Sequence, residues 1–134
     1  MKLARAMVAT AALVFTPVLM AGETPAPEGA KAYIISPADG ATVSSPVTVQ
    51  FGLSGIGVAP AGIEKEKTGH HHLLIDVKEL PDMNSPIPGD EHHRHFGGGQ
   101  TEVSIDLPPG QHTLQLLLGD HHHIPHNPRC SPNR

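Results

Sequence analysis

Tryptophan is absent from this 134-residue chain, aromatic residues make up 3% of it, and Cys130 is its one cysteine. A lone cysteine excludes an internal disulfide and any thiolate metal cluster. Its thiol is either incidental or available for intermolecular pairing, and its irregular surroundings favour incidental. Charged residues are also sparse, at 16%, and acidic residues outnumber basic ones. With no basic patch, nucleic acid is not an expected partner. The longest apolar run, at residues 6–19, is shorter than the ~20 residues that a spanning helix needs. No stretch beyond it has the period of an amphipathic helix of three turns.

That apolar run has the form of an export signal. Lys2 and Arg5 precede it, Pro17 breaks it near its end, and Ala21-Gly22 offer small residues for cleavage. Residues 1–22 are therefore predicted to be a signal peptide, with an exported product that is periplasmic or secreted. No stable membrane insertion is expected after cleavage. No cysteine stands directly after the run, so lipid attachment is not expected. Loss of Lys2 and Arg5 lowers the basic count from 9 to 7 against 13 acidic residues, a net of −6 with histidine neutral. A remainder of this size suits one modest core that buries roughly two-thirds of the unfolded surface.

Residues 23–30 are rich in Pro, Gly and acid and read as a flexible leader. Residues 31–127 read as one domain, and 128–134 as an irregular tail. Short runs at 31–36, 47–53, 70–77, 101–107 and 111–118 carry strand signals, with a short extended piece at 91–96. Val47, Val49, Phe51 and Leu53 share one face, as do Val103, Ile105 and Leu107, and Leu114, Leu116 and Leu118. Residues 54–69 and 78–90 read as loops. The order predicts an all-β, immunoglobulin-like sandwich of Greek-key type. A final edge strand is expected after residue 118, yet HNPRCSPNR reads as none. Either the sheet edge is open, inviting self-association, or that strand is absent.

What the chain has in excess is histidine, 11 residues in all. They fall at 70–72, at 92, 93 and 95, at 121–123 and at 126, with His112 apart. In the predicted topology the third strand starts, the 101–107 strand starts and the 111–118 strand ends at one end of the sandwich. The three clusters are carried to that end. His112 falls at the opposite end, where packing or hydrogen bonding is its expected role. Strand parity places His71 on the core side with Leu73, Ile75 and Val77, and His70 and His72 outside with Leu74 and Asp76. His93 and His95 share a side opposite Phe96, and His121 and His123 share the outer side with Leu117.

The expected ligands are His70, His72, His93, His95, His123 and His126, with Asp90 or Asp120 as optional oxygen donors. An all-nitrogen set suits copper(II) or zinc, and copper(II) ranks first because it binds most tightly in the divalent series. Met83 is the sole methionine beyond residue 22, which argues against a methionine-rich copper(I) carrier. The function predicted is handling or sequestration of the ion rather than catalysis, since no nucleophile motif accompanies the histidines. Two weaker forms remain open: loose binding by a histidine-rich surface, and a structural or pH-sensing cluster. The rival of another class is an interaction or adhesion module that docks a partner on an apolar patch of Leu74 and Leu117. A metalloenzyme, by analogy with copper-zinc superoxide dismutase, rests on architecture alone.

The stretches SPADGATVSSPVTVQFGLSGIGVAPAG (36–62), TGHHHLLIDV (68–77), HFGGGQTEVSIDLPPGQHTLQLLLGD (95–120) and HIPH (123–126) resemble a family of small exported bacterial proteins grouped as domain of unknown function 4399. The resemblance implies an exported β domain and carries no established activity. His70, His71, His72, His93, His95, His112, His123 and His126 match family positions, whereas His92, His121 and His122 look like local additions. Family members continue past the HIPH motif with a final strand, where this chain has PRCSPNR.

Overall fold

The structure is a computed structural model that describes residues 24–130 and Ala12. Apart from Ala12, the predicted signal peptide lies outside the described residues. Seven strands and no helix occur among the described residues: β1 (Lys31–Ser36), β2 (Val47–Ser54), β3 (Gly57–Val58), β4 (Thr68–Ile75), β5 (His93–His95), β6 (Glu102–Ile105) and β7 (Leu114–Gly119). One sheet has the order β1-β2-β6, and in the other β4 pairs with β7 as well as with β3 and β5. The protein is an all-β sandwich.

Alternation explains the main core. Val47, Val49 and Phe51 of β2 and Ile105 of β6 face His71, Leu73 and Ile75 of β4 across the sandwich. Leu116 and Leu118 of β7 and Phe96 complete this interior. Phe51 stacks edge-on to Phe96, with centroids 4.9 Å apart, and the His71 ring lies 5.1 Å from Phe51. Burial of these side chains at ~25 cal/mol per Å² is the main force that holds the two sheets together.

The opposite face of β4 and β7 differs from expectation. Leu74 and Leu117 do point away from the main core, as parity requires, but they are not exposed. Ile87 closes over them, with Val77, Leu80 and Met83 packed around, so a second apolar cluster forms. The proline-rich segment 78–90 is therefore a cover for the sheet, because two adjacent leucines on its outer face need one. Val77 joins this cluster rather than the main core. Asp76, at φ +56°, ends β4 and redirects the chain, which breaks the parity that Val77 was assigned.

Two further departures concern the ends of the domain. Residues 24–30 are not a free leader: Pro25 bridges Asn127, the Ala26 amide donates to the Asn127 carbonyl, and Ala26 and Ala30 pack on the core. Cys130 is fully buried in the main core, so its thiol is not available for intermolecular pairing. Burial pushes that thiol above its ordinary pKa. Among the described residues of the tail, 128–130, there is no strand, but Cys130 still supplies apolar packing. β7 starts at Leu114, later than alternation suggests, because His112 and Thr113 are tied to Asp76.

Candidate metal centre

Register sets the site. In β4–β5, His72 pairs with His95 and Leu74 with His93; in β4–β7, His70 pairs with Gly119 and His72 with Leu117. His70, His72 and His95 therefore share the outer face of the sheet, at the end where β7 leaves it. The chain then turns at residues 120–124 and returns His123 over that face. Its backbone takes the left-handed conformation, φ +65°, uncommon for a residue with a side chain.

Ring centroids among His70, His72, His95 and His123 lie between 4.6 and 6.0 Å apart. One nitrogen from each ring can be chosen so that all four lie within 4.8 Å of one another. His70 Nε2 is 3.1 Å from His123 Nδ1 and 3.1 Å from His95 Nε2. A single imidazole nitrogen carries either one proton or one in-plane lone pair. It cannot donate fully to one neighbour while accepting from the other, so ordinary hydrogen bonding leaves this junction short. A cation facing three lone pairs would satisfy it. Nitrogens held at 2.0–2.1 Å from zinc in a tetrahedron are about 3.3 Å apart, and adjacent ones in a square plane about 2.9 Å. The observed 3.1 Å falls between.

Protonation favours the same chemistry. Burial, with smaller contributions from His95 and His123, lowers the pKa of His70 to about 4. Burial, then the neighbouring His70, His95 and His123, lowers His72 to about 3. His95 is also lowered, by burial and by His123. These rings are neutral at pH 7, the form that ligates. Access is one-sided, because His70 and His72 are buried while His95 is exposed and His123 half-buried.

Two glycines make the space. A Cβ on Gly119 would stand 2.7 Å from Cε1 of His72, and one on Gly97 would collide with the His95 ring. Gly97 thus clears room for the His95 ring as well as opening the turn towards β6. The usefulness of Gly119 had no sequence signal, since a glycine after a strand normally marks a turn.

Of six expected ligands, four converge and two do not. His93 lies beside Leu74, and its Nδ1 is bonded to Asp90 Oδ1 at 2.8 Å. Its ring is turned to Asp90, and His93 is not among the four residues whose nitrogens lie within 4.8 Å of one another. His126 is buried, with Nε2 donating to the Thr68 carbonyl at 3.0 Å. Neither optional oxygen donor joins the group. Asp90 bonds His93 and the amides at 92 and 93, and Asp120 serves its own turn. His121 stacks on His122 with centroids 4.0 Å apart and lies outside the cluster. His112 sits at the far end, where Nδ1 bonds Asp76 and Nε2 bonds the Pro108 carbonyl.

A family model described as Domain of unknown function (DUF4399) matches residues 49–133, well over half of the chain. The chain belongs to this family. The matched stretch starts after Ser36 and runs past Asn127 into the tail, whereas the motifs alone suggested a match over 36–127. It includes all four clustered histidines, both glycines and Asp120. No curated protein and no solved structure matches the chain.

Proposed function

We propose that this family member binds one transition-metal ion, copper(II) or zinc, outside the cytoplasm, through His70, His72, His95 and His123, and that it handles or sequesters the ion rather than catalysing a reaction. The observation that carries this reading is the junction at His70 Nε2, 3.1 Å from nitrogens of two other imidazole rings. A loose histidine surface does not bury two ligands; here His70 is 0% and His72 1% exposed. The four-nitrogen donor set suits both metals, and copper(II) ranks first by the divalent affinity order. The basic start, apolar run and small residues of segment 1–22, read as an export signal, support a location outside the cytoplasm.

The interaction-module reading has lost its surface, because Leu74 and Leu117 are covered from within the chain. Titration of the purified exported protein with zinc and with copper(II) tests the proposal. One equivalent should bind saturably, and His72→Ala or His95→Ala should abolish that binding. His93→Ala and His126→Ala should leave the stoichiometry unchanged. Weak binding of several ions, indifferent to His72→Ala, would refute the proposal.

A further inference from the structure

Asp120 stands next to the histidine cluster without belonging to it. It is 2% exposed, and a buried carboxylate is costly unless its oxygens are satisfied. They are satisfied by the turn itself. Oδ1 accepts the amides of His122 at 2.9 Å and Ile124 at 3.0 Å, and Oδ2 accepts the Thr24 hydroxyl at 2.6 Å. Its backbone completes the bracket: the Asp120 amide donates to the Ile124 carbonyl, and its carbonyl accepts from the His123 amide. His123 is thus held on both sides by groups bonded to one residue, in a left-handed conformation that it would not keep unaided.

Charge points the same way. Four neutral imidazoles would leave a bound divalent ion with its full charge beside an apolar cluster. The other acids close in sequence or space to the histidines are exposed: Asp90 lies on the surface, and the side chain of Glu64 is 83% exposed. Asp120 is the buried one. All three of its side-chain hydrogen bonds are donated to it, the pattern of an ionised carboxylate.

Resting on the metal-binding reading, we propose that Asp120 is the positioning residue of the site: it holds the turn that presents His123, and its charge offsets that of the bound cation. Ligand-holding partners of this kind typically change metal affinity 10–100-fold.

The test compares zinc(II) with copper(I), the latter under anaerobic reducing conditions, in wild type and Asp120→Asn. Asparagine keeps an oxygen acceptor for the two amides and removes the charge. The dissociation constant for zinc(II) should rise roughly ten- to a hundredfold. The rise for copper(I) should be smaller, near the square root of that factor, because Coulomb energy scales with ionic charge. Thr24→Val frees Oδ2 and keeps the charge, so it should weaken both ions by one common, smaller factor; it decides the matter if Asp120→Asn does not fold. Unchanged zinc affinity in both variants, with wild type binding normally, would overturn the role of Asp120 and leave the metal site standing. Equal losses of both ions in Asp120→Asn would overturn the charge role and with it the proposal. A wild type that binds neither of these ions nor copper(II) would overturn the site and the proposal together.

Discussion

Gly119→Ala tests the packing of the site without removing a ligand. The glycine does not have a positive φ, so alanine costs nothing in backbone strain there. The added methyl group would lie 2.7 Å from His72 Cε1, 3.2 Å from its Nδ1 and 3.3 Å from the His123 Cα. Ordinary carbon contacts begin near 3.5 Å, so the ring must retreat by roughly 0.8 Å. His72 is 1% exposed and wedged between His70 and His95, so it has little room to do so. Overpacking of this kind costs about 1–3 kcal/mol. In a domain of this size that lowers the melting temperature by about 4–8 °C per kcal/mol. Metal sites tolerate about 0.2 Å in ligand distance, so the affinity should also fall at least tenfold. Thermal and urea melts of the metal-free protein and zinc titration at pH 7.5 measure the two effects. Gly89→Ala, with nothing within 4 Å of its added methyl group, is the control and should change neither. If Gly119→Ala melts like wild type and binds zinc with full affinity, the site is not packed as described.

Other expectations concern protonation and the covered face. His71 is fully buried with neither ring nitrogen partnered, and burial lowers its pKa to about 4. Its folded pKa lies below the unfolded 6.5, so stability is full above 6.5 and is lost as pH falls toward 4. His71→Leu should remove this loss, so its stability relative to wild type should rise by about 1.3 kcal/mol between pH 7.5 and 5.5 in urea melts. A pH-independent difference would refute the burial argument. His112 has the opposite sign. Its bonds to Asp76 and to the Pro108 carbonyl raise its pKa, so its contribution is present below 6.5 and is lost as pH rises through the folded value. His112→Ala should therefore destabilise more at pH 5.5 than at pH 9, with metal affinity unchanged, as paired melts and titrations would show. Leu74→Glu should destabilise the fold by several kcal/mol rather than merely remove a docking patch, because it places a charge under Ile87. A soluble variant of normal stability would restore the idea of an exposed patch.

Much of the strand content was legible in residue order because period-two alternation is a local property. β1 was read to the residue, and β2, β6 and β7 within a few residues of their ends. Parity on β4 placed His71 in the main core and His70 and His72 on the other face, which the structure shows. Convergence of His70, His72, His95 and His123 followed from strand order, since neighbouring strands must carry their ends to one place. What only the tertiary structure decided is which histidines face one another. His93 has the right parity and the wrong position along its strand, and His126 is held by a backbone carbonyl of β4. Segment 78–90 looked like a loop because its prolines exclude regular structure. Its work as a cover depends on Leu74 and Leu117, which become neighbours only when β4 pairs with β7. The space beside Gly119 and the bracket around His123 depend likewise on atoms that meet only in the fold. Sequence determines which residue types and faces are available; register and chain reversals decide which of them come within reach of one ion.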